Sequence, residues 1–468
     1  MPKKIFLTGK LAYSSLKKTL ARLNLDFDYQ ILKMPITVAA LMDSSFIIRN
    51  LKKAEIHSSA ENLEIILPGR SQAEIEIINK ELKNELLEFQ KGPDEIIDLP
   101  EFFGKKAAKI DFEQEKRGHK IIAEINEASL MDLDEIIKIA DYYHQNGADI
   151  IDLGCVNGRE FPHLEEVIYS LKEKNYQLSI DTFDQDEIIR ASKTGIDYLL
   201  SINSHNLEVL NYEVNYLPVI IPDPESGNLK SLYKNIKKVK KKGIKNYIVD
   251  PILDPINFGF SESLFRYLSL AKDKKLKQEM MMGVGNLIEL SDCDSTGLNF
   301  IAAALAVELN IEYLLITEAS FKTRGAVKEL DLALKIISHA EQENSLPNNL
   351  SNLLLNLKDR KDRNYTREEV KEIKNSITDS NYRILNDGKA INIFNAEEEY
   401  RGRDISELFF ELKNTNEPSH AFYLGKELQK AYTALNLSKN YRQEDELDWG
   451  YLNSNFKSEK FKEKKNDN

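Results

Sequence analysis

The chain is poor in cysteine: Cys155 and Cys293 are the two it has. They form neither a Cys-x-x-Cys pair nor a disulfide framework, which excludes a disulfide-stapled secreted fold and leaves a reduced protein as the expectation. A long apolar run is also missing. None approaches the ~20 residues of a membrane span, and the opening MPKKIFLTGK carries no apolar segment as long as a secretion signal needs. Nor is there an excess of positive charge: 64 Lys and Arg stand against 76 Asp and Glu, a net charge of −12. With a pI near 5.4, the chain offers no global field for nucleic acid or an anionic membrane, and small molecules or proteins become the expected partners. The expected compartment is the cytoplasm.

What is present is globular: 468 residues at 42% hydrophobic content suffice for about three domains with a large core. KIFLTGK, DYQILKM and LEIILPG alternate with helical stretches such as SLKKTLARLN, so residues 1–105 read as an N-terminal α/β domain with parallel strands. From 118 to 342 one unit recurs. Strand-like runs at 120–125, 149–153, 177–181, 197–202, 217–221, 245–250, 280–284 and 312–317 are each followed by helical or loop sequence. Most followers carry apolar residues at helical spacing, as in Leu133, Ile136, Ile137 and Ala140. Eight unbroken strand-helix units predict a closed (β/α)8 TIM barrel rather than an open doubly wound sheet. Residues 343–378 are polar and read as a linker. YRILNDGKAINIF places Asn-Asp-Gly-Lys between two apolar runs, a hairpin signal, within a small C-terminal α+β domain at 379–455. The tail 456–468 reads as disordered.

Chemistry in such a barrel gathers at the C-terminal strand ends. Those ends carry Glu124 and Asn126, then Asp152, Asp181, Asn203, Asp223, Asp250, Asn286 and Glu318 in order. A phosphate site would want glycines, Lys or Arg, and a zinc site His or Cys at ligand spacing; Cys155, two residues past Gly154's neighbour Leu153, is the nearest thiol. A ring of carboxylates and amides instead suits a planar heterocycle rich in N–H donors, such as a 2-amino-4-oxo-pyrimidine, whose ring N–H and exocyclic amine one carboxylate can answer together. Magnesium chelation by the same carboxylates is the rival reading.

LSIDTF, LLSINS, NYIVDPIL and MGVGNL fall in order on the third, fourth, sixth and seventh strands. They resemble the pterin-binding barrel shared by dihydropteroate synthases and methyltetrahydrofolate:corrinoid methyltransferases. The three-part plan of the chain is similar to that of the archaeal dihydropteroate synthase-related proteins, found where methanopterin-type one-carbon carriers are used. The resemblance implies a reduced pterin as substrate or cofactor and pterin contacts from Asp181, Asn203, Asp250 and Asn286, with Asn126 and Asp152 beside them. It also implies three roles: a transferase joining a pterin to an arylamine, a methyl-pterin:corrinoid protein methyltransferase, or a non-catalytic pterin carrier. In the second, Asn286 would assist methyl transfer and a corrinoid protein would be the partner. A homodimer is an assembly open to any of the three.

The loops depart from a standard dihydropteroate synthase. EINEASL, GCVNGREF and GVGNLIE stand where Asp-Ser-Phe, Ser-Thr-Arg-Pro and Ser-Arg-Lys loops belong. The cations that would steady a pyrophosphate and hold p-aminobenzoate are thus missing from two of three places, with Arg159 and Arg324 the nearest substitutes. Lower in interest are the lysine run 230–246, read as a solvated helix face, Cys155, read as a packing residue, GVGN, too short for a dinucleotide fingerprint, and His420, read as a cap or packing residue.

Overall fold

The computed structural model describes residues 2–105, 110–212, 214–348, 350–351, 353–354, 357–359, 364–413 and 415–449. The tail 456–468 lies outside the described residues, as do parts of 343–378. Two compact units make up the chain, and each is taken in turn.

In the first unit, β1 (Lys3–Thr8), β2 (Tyr29–Lys33), β3 (Leu63–Leu67) and β4 (Leu87–Lys91) form an all-parallel sheet in the order β2-β1-β3-β4. Parallel strands joined by helices are covered on both faces, which demands near-continuous apolar sequence. β1 meets that demand: Ile5 and Leu7 pack with Ile47, Leu51 and Ile78 on one side, and Phe6 packs with Leu16, Leu20 and Leu99 on the other. Helices Ser44–Lys53 and Ile75–Leu82 therefore cover one face and helix Tyr13–Arg22 the opposite one. The winding reverses between β1 and β3.

The second unit contains the barrel. Its strands are β5 (Lys120–Ile125), β6 (Ile150–Gly154), β7 (Gln177–Asp181), β8 (Tyr198–Ile202), β9 (Leu217–Ile220), β10 (Ile248–Val249), β11 (Met281–Gly283) and β12 (Tyr313–Thr317). They pair in parallel in the order β10-β9-β8-β7-β6-β5-β12-β11, and a parallel bridge between Val249 and Met280 closes the ring. Ile122, Ile150, Leu200, Val219, Ile248 and Met281 fill the interior. The Tyr198 and Tyr313 rings, with centroids 5.8 Å apart, pack in the same interior core; Lys120 lies 5.2 Å over the second ring. The barrel is thus a packed core that offers a ligand its C-terminal mouth. Asp132, Asp184 and Asn228 accept first-turn N–H groups and so start the helices after β5, β7 and β9. After β8 a short 3-10 turn, Leu207–Asn211, stands in place of a full helix. In helix Leu229–Lys241 the residues Leu232, Ile236 and Val239 are buried while Lys234, Lys237 and Lys240 are exposed, the solvated face that the lysine run implied.

C-terminal to the barrel, β13 (Arg383–Asn386), β14 (Ile391–Phe394) and β15 (Glu399–Gly402) form an antiparallel sheet. The hairpin turn is held by the Asp387 side chain, which accepts from Lys389 N (3.0 Å) and Ala390 N (2.7 Å), while Gly388 supplies φ +74°. Helices Ile405–Glu411 and Pro418–Leu437 complete this core. His420 sits inside the second helix and stacks on Tyr423. The range 343–378, expected as a linker, holds the helix Arg367–Ser376, started by a Thr366/Glu369 capping box and anchored by buried Val370. Its polar composition hid it, because a helix that buries one side chain has little apolar periodicity to read.

Candidate active site at the barrel mouth

Two adjacent cavities open at the C-terminal end of the barrel. The inner one, about 360 Å³, is lined by Glu124, Asn126, Asp181, Ser201, Asp250, Asn286 and Glu289 among apolar neighbours such as Met281 and Leu253. The outer one, about 780 Å³, lies between the loops that follow β6 and β7 and is lined by Cys155, Asn157, Arg159, Glu187 and Arg190, among others. Glu124 and Asp181 line both, so a group at either carboxylate can meet occupants of the two spaces.

Each strand-end residue has a distinct placement. Asp250 is buried and spends one oxygen on Tyr267 Oη (2.7 Å) and Ile252 N (2.7 Å). Burial pushes its carboxyl up to about 6 despite those bonds. Asn286 is exposed at the rim, and its amide nitrogen donates to Leu253 O at 2.9 Å. Asn126 donates to both oxygens of Glu124, at 2.6 and 3.2 Å, in the amide orientation its neighbours require.

Asp152 is fully buried and lines neither cavity; Ser179 donates to one of its oxygens, and the other has no partner among the described residues. Asn203 likewise lines neither cavity. Its side-chain oxygen accepts from His205 N at 2.8 Å, so its amide holds the turn after β8. Asp223 accepts from Ser204 N and Asn235 Nδ2, and Glu318 from Gly325 N, Val327 N and Tyr142 Oη. Those two carboxylates fix loops and lie outside both cavity linings. The geometry thus brings Asp181, Asp250, Asn286 and Asn126 to one space, sets Asp152 apart from both linings, and leaves Asn203 to the adjoining turn.

Glu124, Asp152 and Asp181 present oxygens within 4.8 Å of one another. Burial and mutual repulsion push Glu124 up to about 7 and Asp152 well above the usual carboxylate range, and burial pushes Asp181 up to about 6. Near neutrality the group holds a proton between its members, which equips it to give or take one from a bound heterocycle. The same oxygens are the ones that could hold a divalent cation.

Several contributors were invisible in the sequence. Glu187 looks like an ordinary first-turn acid, yet it is 3% exposed; Thr182 Oγ1 donates to one of its oxygens at 2.6 Å. Arg190 reaches the outer cavity but is committed to Glu165. Arg159 lines the outer cavity and Arg324 lines neither. Burial pushes the Cys155 thiol up, which favours its protonated form. Arg266 and Tyr267 lie on a barrel helix where an apolar pair would be expected. Arg266 donates to Pro251 O (2.9 Å), Ile252 O (2.7 Å) and Asp254 (2.7 Å) and so fixes the loop after β10. Arg266→Ala leaves those acceptors unpaired and is expected to cost about 3 kcal/mol; denaturant unfolding measures it, and a loss under about 1 kcal/mol would show the loop to be held otherwise.

The described residues thus form a (β/α)8 barrel whose mouth is built from carboxylates and amides, with no Lys or Arg among those lining the inner cavity. The chain belongs to the same family as the uncharacterized protein MJ0107 of Methanocaldococcus jannaschii, to which it is 32% identical over 369 residues, 70% of this chain and 69% of that one. Residues 3–94 match a family of unknown function, DUF6513, and residues 365–444 match the family described as PterinBD-DUF4346. Among solved structures, the chain is similar to the Burkholderia cenocepacia dihydropteroate synthase complexed with 7,8-dihydropteroate (15% identity, TM-score 0.37, 48% of this chain and 92% of that one). It is also similar to the Anaplasma phagocytophilum enzyme with bound 6-hydroxymethylpterin-monophosphate (18% identity, TM-score 0.36, 47% and 99%).

Proposed function

We propose that the barrel mouth binds a reduced pterin carrying a pyrophosphate ester and joins it to an amine seated in the outer cavity, the new C–N bond replacing the C–O bond to the departing pyrophosphate, a dihydropteroate synthase-like transfer in the making or use of a methanopterin- or folate-type one-carbon carrier. The observation that carries the pterin reading is the meeting of Asp181, Asp250 and Asn286 in one cavity. The Asp250 oxygen left over from Tyr267 and Ile252 would accept from the pterin's ring N–H and exocyclic amine. Asp181 and Glu124 would share a proton with the ring nitrogens, and Asn126 would hold Glu124 in place. Asp152 would act through Asp181 and Glu124 by the proton it shares with them, and Asn203 through the turn it caps. A magnesium ion on the acidic group would neutralise it in place of the shared proton.

The outer cavity narrows the amine. Glu160, Asp184, Asp186 and Glu187 line it against Arg159 and an Arg190 already paired with Glu165, so a carboxylate-bearing arylamine meets repulsion there. In a pyrophosphate-release assay with a dihydropterin pyrophosphate, an uncharged arylamine is expected to show a kcat/KM at least about tenfold above that of p-aminobenzoate, the equivalent of about 1.4 kcal/mol. Equal use of both amines would refute the assignment of the outer cavity. No pyrophosphate release with any arylamine would refute the transfer itself.

A further inference from the structure

We propose that the N-terminal sheet carries a second ligand site, for a nucleoside monophosphate, at the reversal point between β1 and β3. In a parallel sheet wound both ways, the loops leaving the two central strands part to opposite faces and open a crevice outside the strand ends. Here the crevice is a cavity of about 360 Å³, within the range of small-molecule sites.

Thr8, the last residue of β1, is 3% exposed. By strand alternation its side chain shares the face of Phe6, which also lines the cavity. No hydrogen bond engages its hydroxyl among the described residues, which leaves it able to bond a ligand oxygen in the cavity. Helix Tyr13–Arg22 begins at the same cavity through Ala12, and no side chain caps it. Its first-turn N–H groups and dipole thus favour an anion beside Thr8. Elsewhere the walls are apolar, with Leu16, Ile66 and Leu99, and suit a flat ring. The loops are pressed backbone to backbone, since a Cβ on Gly69 would lie 2.5 Å from Pro93 and one on Gly9 2.8 Å from Thr37 O. Arg70 at the rim pairs with Glu95 at 2.5 Å and with Asp94 at 4.0 Å, and the lone pairs of those carboxylates not turned to the guanidinium can accept from ribose hydroxyls. One anionic end, one flat apolar body and hydroxyl acceptors between them describe a mononucleotide.

Calorimetric titration of the full chain with AMP, GMP, adenosine and inorganic phosphate tests this. At least one nucleotide is expected to bind with submillimolar Kd, ten times or more tighter than adenosine or phosphate. Thr8→Val keeps the shape and removes the hydroxyl, and Ala12→Asp sets a negative charge at the helix start; each is expected to weaken that binding tenfold or more. Asp250→Ala, in the barrel, should leave it unchanged, so its fate is separate from that of pterin binding. The site is overturned if no nucleotide binds more tightly than phosphate, or if both Thr8→Val and Ala12→Asp bind like wild type.

Discussion

Asp250→Ala is expected to lower the affinity for a reduced pterin roughly ten- to more than a hundredfold, since a charge-assisted, buried acceptor is worth about 1.5–3 kcal/mol. Lys237→Ala, on the exposed face of helix Leu229–Lys241, should change it by a few tenths of a kcal/mol at most. The two variants separate recognition inside the mouth from attraction to the surface, because the second fades with salt while the first does not. A pH dependence follows as well. With its carboxyl near 6, Asp250 accepts from two donors only when ionised, so affinity should rise as pH climbs through about 6 and level off above it. Tyr267→Phe removes one of the bonds that stabilise the ionised form, and should move that rise to higher pH. Titration calorimetry between pH 5 and 8, at two salt concentrations, measures all of this. Wild-type binding that is absent at millimolar pterin, or an alanine variant that binds as well, would end the pterin assignment.

Glu124→Gln is expected to stabilise the ligand-free protein at pH 8 while impairing the site. The folded-state carboxyl titrates near 7 against 4.5 for an unperturbed one, so the folded state holds the proton more firmly than the unfolded chain does. Its contribution is fully present below pH 4.5 and is lost as pH rises through about 7. Above that the charge sits uncompensated beside Asp181 and Asp152. Replacing it with a neutral amide should recover about 2 kcal/mol at pH 8, less than the full shift because water reaches part of the group. For a barrel of this size that is a rise of roughly 4–8 °C in Tm. Near pH 5 wild type and variant should melt together. His119 pulls the other way in the same window, since burial lowers its pKa, so the difference between the two proteins, rather than either profile alone, is the measurement. A variant less stable than wild type at pH 8 would mean that the acidic group is already neutralised, by a bound cation for instance. Stability gained by blunting a charged site is the usual sign that the charge is kept for function.

The eight barrel strands were legible because each is a short apolar run on a repeating unit, and the alternation of strand and helix admits few closed arrangements. The hairpin at β13 and β14 was legible for a related reason: Asp387 and Gly388 are the residues its turn requires. The helix Arg367–Ser376 was not, since with Val370 its one buried side chain it leaves almost no apolar pattern. At the mouth, the residue types at the strand ends followed from the sequence. Their division of labour did not. Asp223 and Glu318 carry the same carboxylate as Asp250, and only their neighbours, the N–H groups of Ser204 and of Gly325 and Val327, show that they fasten loops.

Local sequence therefore settled the periodicity, the strand ends and the acidic character of the mouth, because those depend on which side chains alternate along a strand. Which acids share a proton, which face a cavity and which are sealed depends on distances between strands far apart in the chain. Glu124, Asp152 and Asp181 come within 4.8 Å only when β5, β6 and β7 pair, and their raised pKa values are products of that closeness and of the water excluded around them. The same holds for Arg266 and Tyr267: as letters they interrupt an apolar helix face, and only closure of the barrel puts them against the loop after β10, where one fixes the backbone and the other orients Asp250.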